Sequence, residues 1–295
     1  MDISFEYYRI FYYVAKYENI TKAAMVLKSS QPNVTRIIHL LEDQLDCRLF
    51  LREPRGLKLT EEGKRLYDHV AIACQHLLDA EAELCWNKNI CSGTIELGVT
   101  ETALHLFLLK HLHGFQQKYS DIKIRIQNNT TPGILKALLN GRLDLAIVTT
   151  PFELNDTFAC EDLMTFREVP AGGSEYRALA GHPMSLKEFR FHSIIGLGYG
   201  TASYEYYRKV FMEQKLDYEP AMEVATADLV IPLLQNNLGV GFIPEPLAAP
   251  FFEDQSLVPL SLNVPLPSRD VKMLWDKSLS QSRAAATFCD YLRSL

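Results

Sequence analysis

Residues 31 to 45 place apolar and polar side chains with the period of an α-helix. At 100° per residue, the two kinds of side chain fall on opposite stripes. The apolar stripe consists of Val34, Ile37, Ile38, Leu41 and Leu45, and the opposite stripe of Pro32, Thr35, Arg36 and His39. Ser30 is positioned to cap this helix, and Pro32 falls in the first turn, where a missing backbone N–H costs nothing. The pattern predicts a helix that packs through one face and leaves the other face free.

The segments on either side complete a small domain. Residues 21 to 27 carry small and apolar side chains that let two helices cross closely, and residues 49–51 and 57–59 form two short strands around a turn with Pro54 and Gly56. An isolated amphipathic helix is more often an ordinary surface helix, but this ordered set predicts a winged helix-turn-helix over residues 1–60. Such a domain inserts its second helix into the DNA major groove, with Arg52 and Arg55 here at the hairpin tip.

Residues 61 to 90 predict one long helix. Thr60 is positioned as its N-cap, and Glu61 and Glu62 suit the positive end of its dipole. Its apolar residues step by four and three, which is the spacing of a coiled-coil seam. The seam consists of Leu66, Val70, Ala73, Leu77, Ala80 and Leu84. We expect this linker helix to pair with a second copy of the chain; the alternative is a helix that packs on its own domain.

From residue 92 the pattern changes to alternating strands and helices. The spacing over residues 94–148 predicts a parallel sheet, and a second such set follows over residues 193–243. The tail, a strand at 271–275 and a helix at 281–292, is expected to return to the first set. The fold class is therefore α/β, with two lobes arranged as in type 2 periplasmic binding proteins. We expect lobe I to hold residues 91–165 and 265–295, and lobe II to hold residues 166–264.

Polar side chains follow the ends of several predicted strands. In open α/β sheets, ligands bind beyond the carboxyl ends of strands, where helix N-termini offer free N–H groups. The expected effector-binding residues are Thr100, Glu101, Thr102, Asn129, Thr130, Thr149, Pro151, Thr201, Ser203 and Thr226. Each hydroxyl alone is more often an ordinary helix cap, but their recurrence favours a site for a small polar or anionic metabolite. A Glu101 carboxylate facing the cleft would instead favour a ligand with an amine, so the charge of the effector stays open.

The distribution of charge qualifies the prediction of DNA binding. The whole chain carries a formal net charge of −6, which alone argues against a nucleic-acid partner. Residues 1–65, however, hold eleven Lys and Arg against nine Asp and Glu, so the negative excess lies in the rest of the chain. Because this basic bias is modest, we expect an oligomer that adds several weak contacts.

Other classes of protein find little support in the sequence. Met1 to Tyr13 already contains charged residues and no 18-residue apolar run occurs, so a cytoplasmic protein without a signal peptide or membrane span is expected. The six cysteines lack metal-binding spacing, and His111 and His113 fall on different helix faces. No nucleotide-binding loop, G-x-S-x-G or H-E-x-x-H motif occurs. We therefore expect no metal, no cofactor, no catalytic residue and no enzymatic activity, while redox sensing by a cysteine stays open.

The stretch TKAAMVLKSSQPNVTRIIHLLEDQLDCRLFLREPRGLKLTEEG resembles the N-terminal signature of LysR-type transcriptional regulators. The shared features are the Ala-Ala pair, Ser-Gln-Pro, a hydroxyl residue before Arg36, Leu-Glu, Leu-Phe-x-Arg and Leu-Thr-x-x-Gly. The match is dense over residues 1–65, and beyond residue 90 it extends to architecture and length only. The resemblance implies the same linker helix, a homodimer or homotetramer, and a two-lobed effector domain.

The resemblance also implies which residues meet DNA. Gln31, Pro32, Thr35 and Arg36 would approach DNA, and Arg52 and Arg55 would touch its flanking backbone. Thr35 stands where serine is commoner, and Asn33 replaces a usually small residue. The expected DNA-binding residues are Ser30, Gln31, Pro32, Asn33, Thr35, Arg36, His39, Arg52 and Arg55.

Together these patterns predict a sequence-specific transcriptional regulator that binds double-stranded DNA and responds to a small metabolite in the cleft between its lobes. Two alternatives stay open. A solute-binding protein would explain the two lobes but would leave the first 90 residues without a role. An enzyme on the same α/β scaffold would need a nucleophile, base or cofactor motif of the kind that the sequence lacks.

Overall fold

The computed structural model describes residues 3–53, 56–85, 93–279 and 281–295. Contacts along the chain divide it into two compact units, Met1–Lys88 and Asn89–Leu295. Each unit has its own hydrophobic core. Within the described ranges, no helix combines the length and the apolar character needed to cross a lipid bilayer.

Within its described residues, the first unit has four helices and one hairpin. Its elements are α1 (Phe5–Tyr17), α2 (Ile20–Val26), α3 (Gln31–Leu45), β1 (Phe50–Glu53), β2 (Gly56–Leu59) and α4 (Glu61–Cys85). The strands β1 and β2 pair antiparallel, with Phe50 opposite Leu59. This order confirms the helix, helix and hairpin that the sequence predicts.

The apolar stripe of α3 packs inward as predicted. Val34, Ile37, Ile38 and Leu41 are buried, together with Ala23 and Ala24 of α2, so small side chains bring the two helices together. The predicted caps are also present. The Ser30 hydroxyl accepts the Asn33 N–H at 3.4 Å, and the Thr60 hydroxyl accepts the Gly63 N–H at 2.9 Å.

A buried glutamate joins α3 to the hairpin. Glu42 accepts the Leu49 N–H at 2.8 Å and the Phe50 N–H at 3.3 Å, and Arg48 Nη1 donates to it at 2.7 Å. Burial alone would raise the pKa of Glu42, but these hydrogen bonds outweigh it and hold the pKa below its ordinary value. Glu42 thereby fixes where the hairpin leaves the helix.

The helix α4 corrects the predicted coiled-coil seam. Val70 is only 7% exposed and lies in the core of the first unit, and Leu66 packs half-buried against the same core. Ala73 and Leu77 are exposed, while the side chains of Ala80 and Leu84 lie outside the described residues. The prediction that Val70 faces a second chain was therefore wrong, because α4 uses that stripe to pack against α1.

The second unit contains ten strands and eight α-helical segments within the described residues. In chain order they are β3 (Gly93–Val99), α5 (Glu101–Ala103), α6 (Leu109–Lys118), β4 (Ile122–Asn128), α7 (Thr131–Leu139), β5 (Leu145–Thr149), β6 (Phe158–Phe166), β7 (Glu168–Gly173), α8 (Leu186–Phe189), β8 (Ile194–Leu197), α9 (Ala202–Glu213), β9 (Met222–Val224), α10 (Val230–Gln235), β10 (Val240–Pro244), α11 (Glu245–Glu253), β11 (Leu257–Pro259), β12 (Arg269–Asp276) and α12 (Arg283–Arg293). A π-helical turn, Leu104–Leu108, joins α5 to α6, and 3₁₀ segments cover Ser174–Gly181 and Ala227–Leu229.

These elements form two five-stranded sheets. The first sheet has the order β4-β3-β5-β12-β6 and the second the order β11-β7-β10-β8-β9, and we call the halves built on them the first and second lobes. In the first lobe β3 runs parallel to β4 and β5, as predicted, and β12 runs antiparallel to β5 and β6. The chain passes to the second lobe between β6 and β7 and returns before β12. The strands β6, β7 and β11 are not among those that the sequence pattern predicts.

Candidate nucleic-acid interface and interlobe cavity

The outward face of α3 is polar and accessible. Gln31, Pro32, Arg36 and His39 are exposed, and Thr35 is half-buried beside them. Ser30 is exposed at the start of the helix, where its hydroxyl serves as the cap. These residues share one surface, which is the side that the sequence predicted for DNA.

Asn33 has a different position from its neighbours. Its side chain donates to the Ser29 hydroxyl at 3.1 Å, and Arg36 Nη2 donates to Asn33 Oδ1 at 3.1 Å. Asn33 therefore links the residue before the cap to the arginine on the outward face. This contact orients Arg36 before any partner binds.

A shallow groove of about 310 Å³ lies between α3 and the hairpin. Thr35 and His39 line it from the helix, and Arg48 lines it from the segment before β1. The Arg48 side chain is 68% exposed although it pairs with Glu42. Sequence reasoning missed Arg48, because its position beside α3 depends on the buried Glu42. Arg55 and the side chain of Arg52 lie outside the described residues.

A second cavity, of about 320 Å³, opens between the two lobes of the second unit. Nine of the ten predicted effector-binding residues line it: Thr100, Glu101, Thr102, Asn129, Thr130, Thr149, Thr201, Ser203 and Thr226. Pro151 is exposed outside this lining, because the chain leaves the sheet edge after Thr149. Residues that the prediction missed add to the lining: Asn128, Thr131, Leu197, Ala202, Ala225 and Ala227. Strand ends that are far apart in sequence therefore do meet at one place.

Two of the lining hydroxyls act as helix caps. Thr130 Oγ1 accepts the Gly133 N–H at 3.4 Å, and Thr201 Oγ1 accepts the Tyr204 N–H at 3.1 Å. The first N–H groups of a helix have no intrahelical acceptor, and a cap satisfies only one of them. The first turns of α7 and α9 thus present backbone donors at the cavity.

Thr100 differs from those caps. It precedes α5 but makes no side-chain cap bond, and it is 8% exposed. Its hydroxyl has no hydrogen-bond partner within the described chain. A buried polar group normally finds a partner, so Thr100 is an exception among the described residues that line the cavity.

Glu101 is the one charged side chain among the described residues that line the cavity. Asn128 Nδ2 donates to one of its carboxylate oxygens at 2.5 Å, and His105 Nε2 lies 2.6 Å from the other. Both oxygens therefore already have partners on the first lobe. The cavity as a whole offers hydroxyl, amide and backbone N–H groups rather than free charge.

Arg269, at the start of β12, lies beneath the cavity and was not identified from the sequence. Its guanidinium donates to the Thr149 hydroxyl at 3.3 Å and to the Ser203 hydroxyl at 3.1 Å. It also pairs with Glu168 at 2.5 Å. The local sequence gives no signal for this role, because arginine at a strand end is ordinarily solvated.

The four described thiols, Cys47, Cys74, Cys160 and Cys289, are free. Burial raises the pKa of each of them, and that of Cys289 to about 11. Because the thiolate is the reactive form, these environments disfavour oxidation at neutral pH. Cys91 and the side chain of Cys85 lie outside the described residues.

Comparison with known proteins assigns both units to one family. Residues 5–64 match the family described as bacterial regulatory helix-turn-helix protein, lysR family, and residues 91–295 match the LysR substrate binding domain. The chain is 25% identical to the transcriptional regulator YofA of Bacillus velezensis over 289 residues, which cover 97% of this chain and 96% of that one. It is 22% identical to the RuBisCO operon transcriptional regulator of Allochromatium vinosum, covering 100% and 97% of the two chains.

Solved structures share the fold over nearly the whole chain. The LysR family regulator CbnR superposes with a TM-score of 0.69 at 16% identity, covering 99% of this chain and 98% of that one. The probable transcriptional regulator PA0477 from Pseudomonas aeruginosa gives a TM-score of 0.70 at 18% identity, covering 99% and 97%. Regulators of this family bind DNA and small-molecule effectors and form oligomers. With the family's helix-turn-helix in its first unit and the family's substrate-binding domain in its second, this chain belongs to the LysR family of DNA-binding transcriptional regulators.

Proposed function

We propose that this LysR-family regulator reads its operator through the outward face of α3. Gln31, Thr35 and Arg36 have the side-chain donors and acceptors that base edges in the major groove require. Pro32 contributes apolar contact area beside them. The observation that supports this assignment is the exposed polar stripe itself, with Arg36 already oriented by Asn33.

We assign the contacts with the DNA phosphate backbone to the residues around the groove beside α3. His39 and Arg48 offer donors to phosphate oxygens, and the resemblance to the family adds Arg52 and Arg55 at the hairpin. Such contacts fix the register of a protein on DNA without carrying sequence information. They also make the affinity depend on salt concentration.

The active unit in this proposal is at least a dimer that binds two half-sites. Leu77 of α4 is 48% exposed and follows the exposed Ala73 by four residues, so the two form one apolar stripe of α4. Leu77→Asp would place like charges in the seam between two such helices. We expect analytical ultracentrifugation to find weaker dimers for Leu77→Asp and unchanged dimers for the surface control Asp68→Asn. Equal dissociation constants for Leu77→Asp and the wild type would contradict this seam.

The interlobe cavity is proposed as the effector site, with a small polar metabolite as its ligand. The single observation that carries this proposal is the buried Thr100 hydroxyl, which lacks a partner in a cavity already rich in donors. An unsatisfied buried hydroxyl is costly unless something binds it. Ligand binding rather than catalysis is proposed here, since the lining offers donors but no paired nucleophile and base within the described residues. As a DNA-binding regulator, the protein is also proposed to act in the cytoplasm.

A thermal-shift screen of small metabolites on the full chain tests the effector site. Any hit is titrated by calorimetry on the wild type, on Thr100→Val and on Thr165→Val. Valine nearly preserves the volume of threonine but removes the hydroxyl, so Thr100→Val should weaken binding by about 1–3 kcal/mol. Thr165 is exposed on β6 and does not line the cavity, so Thr165→Val should leave the affinity unchanged. A hit that binds Thr100→Val as tightly as the wild type would refute this site.

A further inference from the structure

One arginine is almost completely buried at the boundary between the lobes. The Arg269 side chain is 1% exposed. Its Nε donates to the Thr150 carbonyl oxygen at 2.7 Å, and its Nη1 pairs with Glu168 Oε1 at 2.5 Å. A buried charge is retained only where it is paired and hydrogen-bonded, and this guanidinium has both kinds of contact.

The partners of Arg269 come from both lobes. Thr149 and Thr150 follow β5 in the first lobe, whereas Ser203 lies in the first turn of α9 in the second lobe. The guanidinium also contacts an aromatic ring from each lobe. The guanidinium lies 5.4 Å from the ring centroid of Phe166 in the first lobe and 5.1 Å from that of Tyr206 in the second. One side chain therefore connects the two halves directly under the cavity.

The direction of these hydrogen bonds has a chemical consequence for the cavity. A guanidinium can only donate, so the hydroxyl oxygens of Thr149 and Ser203 must accept from Arg269. Each hydroxyl keeps one hydrogen, which is then available to a different acceptor. Both residues line the cavity, so a molecule bound there could accept the remaining hydrogen of one hydroxyl from each lobe.

We propose that Arg269 is the positioning residue that couples effector binding to contact between the lobes. The inference rests on the proposed effector site and adds a chemical class of ligand, namely one with an anionic acceptor group that spans Thr149 and Ser203. Such a group receives a hydrogen bond from each lobe, and both hydrogen bonds depend on one guanidinium. Glu168 balances the charge of Arg269, so the anion is bound by oriented hydroxyls rather than by a free cation. The Glu101 carboxylate also lines the cavity, but both of its oxygens already have partners in Asn128 and His105.

A purely structural role for Arg269 makes a different prediction from a positioning role. If Arg269 only neutralises Glu168, its loss and the loss of the Ser203 hydroxyl should affect ligand binding independently. If Arg269 orients Ser203, the two changes should overlap, because each removes the same donor from the cavity. A double-mutant cycle on ligand affinity separates these two cases.

The experiment uses the full chain and sodium sulfate as a simple anionic probe, with sodium chloride at equal ionic strength as the blank. Calorimetry compares the wild type with Ser203→Ala, Arg269→Lys and the variant that combines them. We expect each single change to weaken sulfate binding roughly tenfold, and the combined variant to bind scarcely worse than either single variant. Thr165→Val serves as the control that leaves the affinity unchanged.

A second variant covers the case in which Arg269→Lys does not fold. Arg269→Gln combined with Glu168→Gln removes both charges, which leaves no unpaired ion in the interior. This neutral variant should fold, as judged by circular dichroism, and should lose sulfate affinity to the same extent as Ser203→Ala. A folded neutral variant with wild-type sulfate affinity would overturn the inference.

The remaining outcomes separate this inference from the proposed effector site. Sulfate binding that weakens in Thr100→Val but not in Arg269→Lys would keep the site and reject the role of Arg269. A combined variant weakened about a hundredfold, the product of the single effects, would also reject it. Sulfate affinity that neither Thr100→Val nor Ser203→Ala changes would place the anion elsewhere and reject both proposals. If the wild type did not bind sulfate, the inference that the Thr149 and Ser203 hydroxyls bind an anion would be overturned. The metabolite screen would still test the proposed effector site.

Discussion

Arg36 in the first unit and Arg269 in the second use the same side chain in opposite ways. Arg36 is exposed on α3 and is oriented by one neutral neighbour, Asn33. Arg269 is buried and donates to groups of two lobes. An exposed guanidinium keeps its hydration and can exchange it for a partner, whereas a buried one depends on fixed partners within the fold. The first arginine is therefore suited to reading a polyanion in solvent, and the second to holding a site together.

The largest effect expected from this comparison is on stability. Arg269→Gln leaves Glu168 buried without its cation, which should lower the free energy of unfolding by about 3–5 kcal/mol. Urea denaturation followed by circular dichroism measures it. The double variant, which combines Arg269→Gln with Glu168→Gln, should recover most of the lost free energy of unfolding, because no buried charge remains unpaired. Equal destabilisation of the single and double variants would show that the ion pair is not the cause.

A comparable change at Arg36 should act on binding alone. Arg36→Ala should lose about 1–3 kcal/mol of operator discrimination at each half-site, and a dimer loses it twice. Its melting temperature should match the wild type, since Arg36 is exposed. Fluorescence anisotropy against operator and scrambled DNA measures the difference. Arg9→Ala, at another exposed arginine of the same unit, is the control, and an equal loss there would remove the special role of α3.

Arg48 should show a smaller effect that does not depend on the DNA sequence. Loss of a phosphate contact weakens all DNA similarly and reduces the slope of log affinity against log salt concentration by about 1. Arg48→Ala should therefore bind operator and scrambled DNA with a flatter salt dependence, while Arg48→Lys keeps the slope. Sequence-selective weakening in Arg48→Ala would assign this residue to base reading instead.

The smallest predicted effect concerns pH. The pKa of Glu42 is lowered in the folded state, so its contribution to stability is complete above its ordinary value of 4.5 and is lost as the pH falls through the folded-state value. Melting temperatures measured from pH 6 downward should fall more steeply for the wild type than for Glu42→Gln, with Glu6→Gln as an exposed control. Parallel curves for wild type and Glu42→Gln would exclude this linkage.

The same contrast explains which features the sequence could predict. The face of α3 and its Ser30 cap depend on residues within a few turns of one another, so helical periodicity suffices to find them. Periodicity also found the apolar stripe of α4, but it cannot say what covers a stripe, and Val70 packs against its own unit. The ends of the predicted strands were sufficient to predict most of the residues that line the cavity, because the carboxyl ends of parallel strands meet at one edge of a sheet.

Long-range pairings account for what the sequence could not reveal. Arg269 meets Glu168 from a position 101 residues away in the chain. No local pattern distinguishes it from a solvated arginine, since its burial depends on both crossings between the lobes. Arg48 was missed for a similar reason, because its orientation depends on the burial of Glu42. Pro151 shows the opposite error, since a position after a strand does not guarantee that a side chain faces the cavity.

The central claim is that the exposed face of α3 binds specific DNA as part of an oligomer. The most direct measurement is a footprint of the full-length protein on the DNA upstream of its own gene, compared with Arg36→Ala. We predict two protected half-sites whose centres lie about one helical turn or a whole number of turns apart, and their loss in Arg36→Ala. Protection that is identical for wild type and Arg36→Ala, or no protection beyond that of scrambled DNA, would contradict the account.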